Sequence, residues 1–145
     1  MKYFFFAIIA LIAVAIVYYI ATHNTLVELQ NRISEAFSTM DVFLVKRSDL
    51  IPNLVATVKG YAKYESDTLE KVIDARGRAL GATTNAEKLA AENELTGAIA
   101  RLFALAESYP DLKANANFLS LQADLKEMES DIASARRYYN GVVRK

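Results

Sequence analysis

Residues 3–21 (YFFFAIIALIAVAIVYYIA) carry no charge, and as a helix they reach roughly 28 Å at ~1.5 Å per residue, enough to span a bilayer's hydrocarbon core. Tyr3 at one end, and Tyr18 and Tyr19 just before Ala21 at the other, sit where amphipathic rings favour the membrane interface. A cleaved signal peptide is the competing reading. Its apolar stretch is shorter, roughly 7–15 residues, and ends in a small-x-small cleavage site. Here the stretch is longer and closes on Tyr-Tyr-Ile-Ala, which favours a retained anchor. A lipoprotein anchor is excluded because the chain has no cysteine. The positive-inside rule sets Lys2 and the terminal amine against Arg32, with Lys46 and Arg47 beyond its usual reach. These nearly balance, so the side on which the remaining chain lies stays open.

The rest of the 145 residues is long enough for one packed domain without staples. The predicted division is a transmembrane anchor over 1–24 and a helical bundle over 25–145. Lys and Arg total 17, as do Asp and Glu, and the two signs are interleaved, so no basic stripe argues for nucleic acid. Without cysteine there are no disulfides, thiolate metal sites or thiol nucleophiles.

Apolar positions then step by 3 and 4 in four successive stretches, and no stretch alternates as a strand would. Leu26, Leu29, Ile33, Ala36, Met40 and Phe43 mark the first. Thr25 and Glu28 have capping-box spacing, which allows a bend between anchor and bundle. Pro52 disfavours helical backbone at Ile51, so this helix is expected to turn near 46–50, with Ser48 or Asp49 capping the next and Pro52 in its first turn. The second stripe reads Val55, Val58, Ala62, Glu65, Leu69, Val72, Arg76 and stops at Leu80-Gly81. Thr84 and Glu87 spell a second capping box before Leu89, Glu92, Leu95, Ile99, Leu102 and Ala106, and Tyr109-Pro110 closes that helix. The fourth, Phe118 to Val142, keeps a 3.5-residue period suited to antiparallel packing with coiled-coil geometry. The expected fold class is therefore all-α: an N-terminal transmembrane helix followed by an antiparallel up-down four-helix bundle.

Chemistry is sparse. His23, the only histidine, lies at the edge of the apolar run and reads as an interfacial polar residue. No Gly-rich phosphate loop and no Glu-x-x-His pair occurs, so neither a cofactor nor a metal is expected. More informative are polar residues on apolar stripes: Glu65 and Arg76 in the second, Glu129, Arg136 and Asn140 in the fourth. Buried charges must be paired, so these either form a network between helices or lie on a face covered by another chain.

Several long motifs point to one family. Residues 41–55 (DVFLVKRSDLIPNLV), 58–65 (VKGYAKYE), 74–76 (DAR), 107–118 (ESYPDLKANANF) and 135–140 (ARRYYN) together resemble the LemA family across nearly the whole chain. The departures are Lys46-Arg47 where the family commonly shows Arg-Arg, and Tyr64 where it shows His. The resemblance implies a bacterial membrane protein with an N-terminal anchor and an antiparallel bundle, and it brings no enzymatic activity. Carried over position by position, it singles out Asp41, Arg47, Asp49, Asn53, Lys59, Glu65, Arg76, Glu107, Asp111, Asn115, Asn117, Glu129, Arg136 and Asn140 for fold or partner contact. The expected role is a single-pass, non-enzymatic scaffold of the bacterial cell membrane. Its expected partners are the lipid bilayer, other copies of itself and other envelope membrane proteins. The alternative is an adaptor or regulator of an envelope metalloprotease or other membrane partner.

Overall fold

The computed structural model describes residues 2–144; Met1 and Lys145, the outermost positions of the two predicted spans, lie outside the described residues. The described residues are helical throughout apart from short connections: α1 Lys2–Tyr61, α2 Ser66–Gly81, α3 Asn85–Ala106, the single-turn α4 Pro110–Lys113, and α5 Ala116–Val143.

The longest element departs from expectation. α1 runs without a break for 60 residues, about 90 Å at ~1.5 Å per residue. It passes straight through the Thr25–Glu28 box: the Thr25 hydroxyl donates to the Ala21 carbonyl (3.0 Å), and Glu28 pairs with Arg32 at 2.6 Å. It also passes through Pro52, so the turn predicted near 46–50, with its cap at Ser48 or Asp49, does not form. The reason is burial. Leu44, Arg47, Ser48, Ile51, Leu54 and Val58 form one uninterrupted stripe, all buried. A turn in its middle would expose that face, which outweighs the ~3 kcal/mol that an interior proline costs a helix.

The true turn comes at residues 62–65, where the Ala62 amide donates to the Val58 carbonyl (2.8 Å) and the Glu65 amide to the Ala62 carbonyl (3.2 Å). The predicted second helix is thus two pieces. Val58 and Ala62 belong to the end of α1, Leu69, Val72 and Arg76 to α2, and Glu65 stands in the turn between them. The Thr84–Glu87 capping box opens α3 as its sequence requires, with both reciprocal bonds made. Beyond α3, Pro110 does not merely end a helix but occupies the first turn of α4.

Pairings fix the directions. Phe37 meets Tyr139 near one end of the α1–α5 contact and Thr57 meets Asn117 near the other, so α5 runs antiparallel to α1. Arg78 pairs with Glu94 (2.9 Å) across the α2–α3 hairpin. Asp41–Lys88 and Arg47–Thr96 place α3 parallel to α1. The long helices α1, α2, α3 and α5 therefore alternate in direction. The first part of α1 is long and apolar enough to cross a membrane, and none of that window is buried against the rest of the protein. Ala36 is its first buried residue.

The core is divided. A large cluster near the turn at 62–65 includes Ile51, Leu54, Val58, Leu95, Leu102 and Phe118, while a small one nearer the apolar segment holds Met40, Leu44, Ile132 and Ala135. On α1 the boundary falls at Arg47 and Ser48, on α5 at Glu129, and on α3 between Leu89 and Ala91, just before Glu92.

Candidate functional site

Arg47 lies at that boundary and is only 1% exposed. Its Nη1 donates to Thr96 Oγ1 (2.7 Å) and Glu129 Oε2 (2.5 Å); its Nη2 donates to the Glu92 carbonyl (3.1 Å) and to the Glu92 carboxylate. The Thr96 hydroxyl in turn donates to the Glu92 carbonyl at 3.0 Å. One guanidinium thus binds α1 to both α3 and α5, in the planar forked geometry that lysine cannot reproduce. The two carboxylates differ: the Glu92 side chain is 2% exposed and that of Glu129 is 47% exposed. Arg47 Nε and Ser48 Oγ are buried in the same layer without a hydrogen-bond partner.

A second polar contact arises from Pro52. Having no N–H, proline leaves the carbonyl of residue 48 without its intrahelical donor. Arg76 Nε on α2 donates to that Ser48 carbonyl at 2.8 Å. Nearer the apolar segment, Asp41 pairs with Lys88, and Arg136 Nη1 donates to Asn93 Oδ1 at 3.0 Å.

At the far tip the turns come together. The Tyr109 hydroxyl donates to Glu65 Oε1 (3.0 Å), and this bond, aided by desolvation and the nearby negative charge, pushes the phenol's pKa up. Asn115 caps α5 by accepting from the Phe118 amide (3.0 Å), and its Nδ2 donates to the Tyr61 hydroxyl (2.9 Å). Asn117 Nδ2 donates to Thr57 Oγ1 at 2.9 Å, and Glu107 pairs with Lys113. Asp49, Asn53, Lys59, Asp111 and Asn140 are exposed and join none of these groups. Tyr3, Tyr18, Tyr19 and Ala21 lie exposed along the first part of α1, with His23 beside the Tyr19 ring at 6.2 Å.

Most of the polar residues singled out from the sequence are therefore engaged within the protein, though only Arg47 and Glu129 among them bind each other. Glu92 and Thr96 were not among them. Their signal was present all the same, because Glu92 is an acid on the stripe between Leu89 and Leu95, and Thr96 follows it by one helical turn. Beside the arginine layer, α3 and α5 leave a groove of about 580 Å3, with Arg47, Thr96 and Glu129 at one end and Phe103 and Leu119 at the other.

The model of the LemA family matches residues 36–145. This chain belongs to the LemA family. A relative, Protein LemA of Metamycoplasma hominis, is 27% identical over 143 residues, covering 94% of this chain and 64% of its own length. The chain thus spans a little under two-thirds of that LemA protein. The family match begins at Ala36, the first buried residue of α1, so the LemA signature coincides with the packed part of the molecule.

Proposed function

We propose that this protein is a membrane-anchored, non-enzymatic helical scaffold of the bacterial cell membrane that self-associates. The observation that carries this reading is the single helix α1, which joins an apolar segment with no burial of its own to a bundle in which Arg47, Arg76 and Glu129 are committed to interhelical contacts. A segment so apolar and so exposed calls for lipid around it. Anchoring confines the copies to two dimensions, where effective concentration strengthens weak lateral contacts. Ala10, Ala13 and Ala21 along that segment allow membrane helices to approach closely. Arg47, Glu92 and Thr96 bind each other and leave no nucleophile poised beside a base, which supports a structural use of the layer.

The test is the mass of the full-length protein extracted together with its surrounding lipid. A discrete multiple of the chain mass is the expected result. Uniform monomers, with no protein recovered from the membrane fraction in larger particles, would refute self-association.

A further inference from the structure

We propose that residues 130–143 of α5 form a strap that opens as a unit, with Glu129 as its release point, and uncovers the face of α1 next to the apolar segment. This goes beyond the scaffold reading and does not depend on it.

The inference starts from the divided core. Beyond Glu129, α5 contributes only Ile132 and Ala135 to the small cluster, whereas before it Phe118, Leu121 and Leu125 belong to the large one. On α1 the buried polar pair Arg47 and Ser48 separates the two clusters, and on α5 Glu129 falls between Leu125 and Ile132, so along these two helices the buried apolar residues of the large cluster do not run on into the small one. Segments with little buried apolar surface open at lower free energy than the rest of a fold.

The charges make opening feasible. A buried cation stripped of its only partner is strongly unfavourable. Arg47 has two partners, and the one on α5, Glu129, is half exposed, while Glu92 on α3 is fully buried and stays in place. Detaching α5 returns the Glu129 carboxylate to water and leaves Arg47 still neutralised by Glu92 and bonded to Thr96. The other ties are peripheral: the exposed Arg136–Asn93 bond and the Phe37–Tyr139 edge contact.

What opening uncovers is specific. Met40 and Leu44 are the small cluster's residues on α1, Ala36 is buried one turn before them, and the same 3-4 spacing continues down α1 through Ile33, Leu29 and Leu26. Those last three are already partly or largely exposed, Leu26 at 61%. Release of the strap joins the two halves into one stripe of six apolar positions.

Hydrogen exchange on the full-length protein in lipid tests this directly. Amides in 130–143 are expected to exchange severalfold faster than those in 117–127, and Glu129→Gln to accelerate only the former. The chain has no cysteine, so a single introduced thiol reports access. Met40→Cys is expected to react with a water-soluble maleimide severalfold faster than Leu54→Cys in the large cluster. Equal exchange in the two parts of α5, equal labelling of the two thiols, or an equal response of both parts to Glu129→Gln would each overturn the proposal. The mass measurement above is independent, so either idea can fail alone.

Discussion

Arg76 supplies the hydrogen bond that Pro52 cannot: its Nε, carried on α2, donates to the Ser48 carbonyl that an amide at position 52 would otherwise satisfy. A local defect in one helix thereby becomes a tie to its neighbour.

The two residues are therefore expected to be coupled. Arg76→Ala leaves a buried carbonyl unsatisfied and should cost about 1–3 kcal/mol. Pro52→Ala restores the amide, so it should raise stability, and in that background Arg76→Ala should cost about 1 kcal/mol less. Chemical denaturation of the four members of the cycle measures the coupling; strict additivity would show that the contact contributes nothing.

The arginine layer is expected to respond unequally to the loss of its members. Arg47→Ala abandons the buried Glu92 carboxylate and should cost about 3–5 kcal/mol, whereas Glu129→Ala removes a half-exposed partner and should cost about 1 kcal/mol or less. Replacing Arg47, Glu92 and Glu129 together by apolar residues of similar size should recover most of the loss. Equal destabilisation by the two single changes would contradict the asymmetry seen in their burial.

Acid should weaken the start of α3. The Thr84 amide, followed by the Thr83 hydroxyl, the Thr83 amide and the Thr84 hydroxyl, holds the Glu87 carboxyl below the ordinary glutamate range. Because the folded-state value is lowered, the stabilisation is present above the unfolded value of about 4.3 and is lost as pH falls through the folded one. The stability difference between the parent and Glu87→Gln should therefore shrink on acidification. Thr84→Ala should cost about 1 kcal/mol near neutral pH.

Alkali should act at the opposite end of the bundle. Tyr109 donates to Glu65, so its folded-state pKa is raised, and the bond's contribution is complete below about 10, the ordinary tyrosine value, and lost as pH climbs through the folded one. Phenolate absorbance should show a tyrosine titrating above the ordinary tyrosine value, and Tyr109→Phe should remove it. An unchanged titration curve in that variant would mean the hydroxyl does not donate to Glu65 in solution.

The helices were legible because their stripes follow the core: Leu95, Ile99 and Leu102 in α3, and Phe118, Leu121 and Leu125 in α5, are all buried. The Thr84 capping box was legible because its two bonds are local. The first turn was not. Pro52 is a strong local signal, but whether a helix survives it depends on Arg76, which is distant in sequence and close only after folding. The true turn at 62–65 contains neither proline nor glycine, and its local signals are Gly60 just before the end of α1 and the polar run KYESD over 63–67. In the site, the charges on stripes were visible, but which acids meet Arg47 was not, since Glu92 and Glu129 lie on different helices that come together only on folding.

The uninterrupted course of α1 links height to azimuth. Between Ala21 and Ala36 it has neither proline nor glycine, so the bundle's compass bearing is locked to that of the apolar segment. Inserting one residue in that interval would swing the whole bundle by about 100° while lifting it only ~1.5 Å, whereas inserting seven would lift it ~10 Å and nearly restore its bearing. The number of residues between the apolar segment and the bundle therefore decides which side of the bundle lies above a given face of that segment.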